Sequence, residues 1–274
     1  MLLFGSHTME NIELLVKDAE LKRTWYSPVA DIYYEARPDY PQELIDLAIA
    51  LTNLDSESKI LEIGCGAGNA TIPFARTNAT ITCIEHNREF CFQAQQNSKL
   101  FPKVEICYSS FAEWQLEENK YDVVLSANAF YQLPQQESYA KAAAALKDNG
   151  FIILLWNLTP ELKYEIYQSV EGIFQTYVPS LVRYEGKDIQ ASILEGFAQS
   201  IRNSGYFKDP VIRQLDCQIT YSIEQYISLL RTLRRIDSEV QKLFFTELRE
   251  GLQHWGNKVE LSFLSAVHLA QKRN

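Results

Sequence analysis

Histidine is scarce in this chain of 274 residues: there are four, at 7, 86, 254 and 268, and they show no metal-ligand spacing. No aspartate-rich loop offers itself to magnesium either, so no metal is expected. The five cysteines (65, 83, 91, 107 and 217) contain no C-x-x-C pair and are odd in number. That argues against a disulfide framework and for reduced thiols in a cytoplasmic protein. Long hydrophobic runs are missing. The longest, Phe151 to Trp156, is far too short to span a bilayer, and no membrane partner is expected. The start, Met1 to His7, lacks the basic flank and long apolar stretch of a signal peptide. Met9 as the true start and a foreign Gly5-Ser6-His7 remain two readings of that segment. Repeats and low-complexity linkers are absent. Positive charge is not concentrated anywhere: residues 1–150 hold 12 basic and 21 acidic groups, residues 151–274 hold 14 of each. The whole net charge of −9 thus falls on the first half, and no basic stretch suits nucleic acid. A small-molecule substrate is expected instead, and nothing bears on oligomeric state.

What is present is an apolar strand running into a glycine turn, Lys59 to Thr71, with glycines at 64, 66 and 68. Such spacing lets backbone approach a ligand at the carboxyl end of a strand. A dinucleotide fingerprint needs G-x-G-x-x-G, and the sixth position here is Asn69. Glu62, two residues before the first glycine, would repel a pyrophosphate but suits a ligand bearing an amino group. Glu85 follows the next apolar run, Ala79 to Ile84, where an acid can accept both hydroxyls of a ribose. A nucleoside with a cationic end and no phosphate fits, and S-adenosylmethionine is the obvious candidate.

The segment from Ile60 to Pro134 resembles the core of the class I S-adenosylmethionine-dependent methyltransferases through ILEIGCGAG, CIEHN, SSFAEW and KYDVVLSANAFYQLP. Tyr34 to Pro41 (YEARPDYP) resembles the Y-x-x-A-R-P-x-Y-P lead-in of one branch, which includes relatives of trans-aconitate methyltransferases. Where that branch usually reads A-F-H-W, this chain has Ala129-Phe130-Tyr131-Gln132, so a base at the family's histidine is lost. The resemblance implies an α/β, Rossmann-like seven-stranded sheet with an antiparallel last strand and helical lid insertions.

The alternation of strand and helix signals agrees with a mainly parallel sheet. Strands are predicted near 60–64, 80–84, 104–108, 121–126 and 150–156, and helices near 43–53, 69–77, 88–98 and 137–147, the last stopped by Asn149-Gly150. A helix over 196–204, a strand over 211–221, two helices within 222–255 and a strand over 259–269 follow. The single domain is read as a core of 43–156, 196–221 and 257–274, with lid insertions at 157–195 and 222–256.

Each candidate residue has a structural alternative. Gly64, Gly66 and Gly68 form either the cofactor loop or a plain strand-to-helix turn. The amides of helix 69–77 are expected to meet the methionine carboxylate. Cys65 reads as a small filler of the loop rather than a nucleophile. His86 lines the adenosine edge or is exposed loop. The resemblance places Phe111 and Ala112 at the adenine, with Phe111 standing where many relatives have Asp. Core packing of Phe111 and Trp114 is the other reading. Asn128 reaches cofactor or substrate, or is a turn residue. Arg37 either grips a carboxylate with its planar fork or pairs with Glu35 or Asp39 at the surface. Arg231, Arg234 and Arg235 form a clamp for an acidic substrate or a solvated helix face. Tyr34 and Tyr131 are the candidate bases for a hydroxyl or amine acceptor, whereas a carboxylate oxygen needs none. The expected activity is methyl transfer to a small molecule. A protein or RNA methyltransferase and a catalytically silent cofactor-binding module are the alternatives.

Overall fold

The computed structural model describes residues 26–181, 184–233 and 238–273. The chain divides into two compact units. The sheet unit holds residues 39–157, 191–215 and 265–273, and the described part of the helical unit holds 26–38, 158–181, 184–190, 216–233 and 238–264.

In the sheet unit, β1 (Lys59–Ile63), β2 (Thr80–Glu85), β3 (Val104–Tyr108), β4 (Tyr121–Ala127) and β5 (Leu146–Asn157) run parallel in the order β3-β2-β1-β4-β5. The near-continuous Val, Ile and Leu content of β1, β4 and the second half of β5 is what a strand covered on both faces requires, whereas β3 has no buried residue. Ile60, Leu61, Val123, Val124, Leu125 and Ile152 to Leu155 are all fully buried. Strand β8 (Lys258–Gln271) pairs antiparallel with β5 from Phe151↔Gln271 to Asn157↔Ser265. The long strand β7 (Val211–Ser222) also pairs with β8. The strand order reverses between β1 and β4, the switch point at which open α/β sheets take ligands. Helix α2 (Gln42–Thr52) leads into β1, and α3 (Thr71–Ala75), α4 (Arg88–Ser98) and α5 (Gln135–Ala145) connect β1 to β2, β2 to β3 and β4 to β5.

Three predicted boundaries move. Helix α3 is five residues rather than nine, because Thr77 and Asn78 close a turn onto Phe74 and Ala75, and Asn78 is left-handed at φ 61°. So short a helix has little macrodipole to offer a carboxylate. Helix α5 stops at Ala145, where Leu146 turns extended and pairs with Tyr121. The Asn149-Gly150 punctuation therefore bends β5 instead of ending the helix. The register shift between Tyr121 and Val123 is the trace of that bend. Helix α7 (Gly186–Ser204) starts ten residues earlier than predicted. Its first amides are met by Glu161, whose carboxylate accepts from the N–H groups of Glu185 (2.6 Å) and Gly186 (3.0 Å). A cap so far upstream in sequence gives no local signal.

The helical unit is built on α1 (Ala30–Ala36), α6 (Tyr164–Tyr177), α8 (Ile223–Leu233) and α9 (Ser238–Gln253). A two-residue strand, β6 (Glu161–Leu162), pairs with Ser262 and Leu261 of β8, so among the described residues the sheet counts seven longer strands and this short one. Its own core gathers Tyr167, Phe174, Tyr226, Leu230, Phe244 and Leu261.

Candidate functional site

The glycine loop sits at the carboxyl end of β1. The Gly64 N–H donates to Ile84 O at 2.8 Å, and the Gly68 N–H to Cys65 O at 3.0 Å. All three glycines have positive φ (68°, 56° and 95°), a region L residues rarely enter. They differ in their surroundings. A Cβ on Gly64 would meet Ala129 Cβ at 2.7 Å, whereas one on Gly66 would have nothing within 4 Å. Gly64 is thus a packing requirement, and Gly66 fronts open space. Asn97 on α4 braces the loop by donating from Nδ2 to Ala67 O at 2.9 Å.

Two carboxylates flank the loop. Glu62, inside β1 and fully buried, accepts from Thr71 Oγ1 at 2.6 Å and from Cys83 Sγ at 3.6 Å, both through Oε2. Its Oε1 is buried and has no hydrogen-bond partner. Burial lifts the Glu62 carboxyl from 4.5 to about 7, offset in part by the Thr71 bond. At Cys65 the hydrogen-bonded Cys83 thiol, then burial and the two carboxylates, push the thiol up, and burial does the same at Cys83, so both stay protonated. Cys65 is therefore no thiolate nucleophile. Glu85, at the end of β2, accepts from the Gly66 N–H (Oε2, 2.9 Å) and the Asn87 N–H (Oε1, 2.8 Å). Each Glu85 oxygen keeps lone-pair capacity beyond that bond. His86 lies beside it, Nδ1 at 3.3 Å from Oε1, and Asn87 caps α4 by accepting from the Phe90 N–H.

After β3, the Phe111 ring is buried and stacked on the half-buried Trp114 (6.1 Å, 18°). Lys141 on α5 holds this turn, donating to the carbonyls of Phe111 (2.7 Å), Ala112 (3.1 Å) and Trp114 (2.6 Å). Ala112 is exposed. Beyond β4, Asn128 has φ 50° and exchanges two bonds with the backbone of Asn157, at 2.8 and 3.0 Å. That reciprocal pair ties the ends of β4 and β5 together. Tyr131 is half exposed and stacks on Phe197 (5.7 Å), which in turn stacks on the buried Trp156 (4.2 Å).

Glu62, Gly64 to Gly68, Glu85, His86, Phe111, Ala112, Asn128 and Tyr131 all belong to the sheet unit, at or just beyond strand carboxyl ends. Tyr34 and Arg37 belong to the helical unit. There Arg37 donates from Nη2 to Thr232 O at 2.8 Å and lies over the Tyr33 ring at 4.9 Å, while its buried Nε has no partner. Arg231 is exposed and lies over Phe245; Arg234 and Arg235 fall outside the described residues. Among the described residues no cluster of His, Cys, Asp and Glu could hold a metal ion, and no helix is long and apolar enough to cross a membrane. The sequence reading passed over Thr71, Asn97 and Lys141. Their partners lie nine to thirty positions away, so no periodicity links them.

Residues 60–150, a third of the chain, match the methyltransferase domain family. An uncharacterized methyltransferase of Schizosaccharomyces pombe is 29% identical over 137 residues, covering 50% of this chain and 53% of that protein. The chain spans between half and two thirds of the length of the curated relatives it matches. A putative type II methyltransferase from Anaeromyxobacter dehalogenans superposes with a TM-score of 0.61 at 14% identity, covering 86% of this chain and 97% of that one. Phosphoethanolamine N-methyltransferase 2 of Haemonchus contortus, solved with S-adenosyl-L-methionine, gives 0.55 at 14% identity, covering 93% of this chain and 59% of that one. The matched segment is a class I methyltransferase domain, the class whose methyl donor is S-adenosylmethionine. The residues present fit that donor. A buried carboxylate oxygen lacks a partner, an acid at the end of β2 has spare lone pairs, and the middle glycine of the loop faces open space.

Proposed function

We propose that this protein is an S-adenosylmethionine-dependent methyltransferase acting on a small-molecule acceptor. The observation that carries the reading is the pair of carboxylates across the glycine loop, one with an orphaned buried oxygen and one bonded to the loop's own amide. In this reading Glu62 draws the cofactor's ammonium, and the backbone from Gly64 to Gly68, with Cys65 as filler, passes beneath it. Glu85 accepts the ribose hydroxyls, His86 borders the nucleoside, and the turn at Phe111 and Ala112 presents backbone to the adenine. The occupied side chain of Asn128 then shapes the floor of the site rather than binding. Bound there, S-adenosylmethionine supplies a sulfonium-activated methyl group. The chain's own task is to align a nucleophile with it and exclude water, a proximity effect worth in principle roughly 7–11 kcal/mol. Tyr131 is the group to accept a proton from a hydroxyl or amine. A carboxylate oxygen would be methylated without one. Arg37, with a free buried Nε, is the candidate for holding a carboxylate. The acidic balance of residues 1–150 favours a small molecule over nucleic acid.

The test is calorimetric titration of the chain with S-adenosylmethionine, S-adenosylhomocysteine and NADH in parallel. Micromolar binding of the first two and none of the third is expected. Binding of NADH alone, or of nothing, would reduce the likeness to one of fold.

A further inference from the structure

Glu62 is the least comfortable group in the sheet unit: a carboxylate inside a parallel strand, paired across to Cys83 on β2 and Leu125 on β4. The groups that face it are Cys83, the Thr71 hydroxyl, Cys65 in the loop and Glu85 at the end of β2, and none carries positive charge. An ionised carboxylate in such surroundings needs either a proton or a cation from outside the chain. The one strong bond it receives from the chain is the 2.6 Å donation from Thr71, itself fully buried in the first turn of α3. That bond occupies Oε2 alone and leaves Oε1 unpartnered. A hydroxyl that bonds one oxygen fixes the carboxyl plane and favours its ionised form at once.

We propose that Thr71 is a positioning residue for cofactor binding, whose hydroxyl orients Glu62 and sustains its negative charge so that the second oxygen receives the cofactor's ammonium. This rests on the reading of the loop as an S-adenosylmethionine site. It adds a residue that touches no ligand, and it makes binding proton-coupled. The carboxyl poised near neutrality gives up its proton to solvent as the ammonium arrives. Without the Thr71 bond the neutral form is favoured further, and the amino-acid end of the cofactor loses its counter-charge while the nucleoside end is untouched.

The experiment compares wild type, Thr71→Val and Thr71→Ser in the full chain, with melting curves to confirm folding. Each is titrated with S-adenosylhomocysteine and with 5′-methylthioadenosine, which keeps the nucleoside and thioether but lacks the amino acid. At pH 7, Thr71→Val is expected to weaken S-adenosylhomocysteine at least about tenfold and methylthioadenosine less than about twofold. Thr71→Ser restores the affinity, and the deficit of the valine variant shrinks as pH rises to about 8.5 and Glu62 ionises. Wild-type titrations near pH 6.5 in buffers of different ionisation enthalpy should show net proton release. That measurement stands even where the valine variant fails to fold. Equal loss of both ligands, wild-type affinity in Thr71→Val, or no proton release would overturn the proposal. If wild type binds neither ligand, the cofactor reading itself has failed.

Discussion

At the scale of single residues, Glu85 does two jobs whose energies can be separated. It accepts from the half-buried amide of Gly66 and the buried amide of Asn87, and it leaves lone pairs for two hydroxyls. Glu85→Ala strands the buried Asn87 amide and leaves that of Gly66 to solvent, so a stability loss of about 1–2 kcal/mol is expected from thermal melts. It also removes the acceptor for the ribose, so S-adenosylhomocysteine binding should fall at least about tenfold in titration. An unchanged dissociation constant in the folded variant would take Glu85 out of the site and leave it a brace. The sequence places an acid at the end of a second strand, and that position alone suggests the ribose. It says nothing of the brace, because the amide that Glu85 holds belongs to Gly66, on another connection of the sheet. Phe111 fails in the opposite sense. An aromatic at the family's Asp position reads as a stacking platform, but the ring is already buried against Trp114, with Lys141 above it. Burial is settled by neighbours that a linear reading cannot supply.

Elements show the same division. The glycine loop is legible because left-handed turns leave few residue choices, and the central strands β1, β4 and β5 are legible because burial on both faces demands nearly unbroken apolar runs. Helix ends are less so. Tertiary pairing of Leu146 with Tyr121 overrides the helix propensity of the alanine run, and a distant carboxylate extends α7 backwards to Gly186. Within the loop, the three glycines look alike in sequence and differ in space. Gly64→Ala should cost several kcal/mol, from a φ of 68° combined with a 2.7 Å contact on Ala129 Cβ. Gly66→Ala incurs only the left-handed strain, about 1–2 kcal/mol, because its Cβ meets no protein atom. Titration of the folded Gly66→Ala variant with S-adenosylhomocysteine should nonetheless show a loss of tenfold or more, since the methyl would stand where the ligand approaches. Normal affinity there would mean that the open space over Gly66 is not the cofactor's.

On the scale of the whole molecule, two buried titratable groups of the sheet unit pull stability in opposite directions over one pH window. Burial raises Glu62 from 4.5 to about 7, so between those values the native chain holds a proton the unfolded chain has lost. Its contribution to stability is present at the acid end and is lost as pH rises through the window. His268, on β8, is fully buried, accepts from Trp156 Nε1 at 3.1 Å through Nδ1, and has no partner at Nε2. Burial lowers it from 6.5 to about 4, so there the unfolded chain holds the extra proton, and stability is lost as pH falls. Each effect approaches about 1.4 kcal/mol per pH unit between pH 5 and 6, and their signs nearly cancel in the wild type. Conservative replacements separate them. Glu62→Gln keeps an acceptor for Thr71 and removes the carboxyl's titration, so its stability should fall by about 1 kcal/mol from pH 6 to pH 5 relative to wild type. His268→Gln keeps an acceptor for Trp156, and its stability should rise by a similar amount over the same interval. Denaturant midpoints of the three chains at closely spaced pH values read both slopes, and the surface titrations common to all three drop out of the differences. A variant whose slope parallels the wild type's would show that the group it replaces keeps its solution titration in the native chain. Saturating S-adenosylhomocysteine adds the decisive contrast: an ammonium at Glu62 removes that group's slope from the wild type and leaves the His268 slope in place.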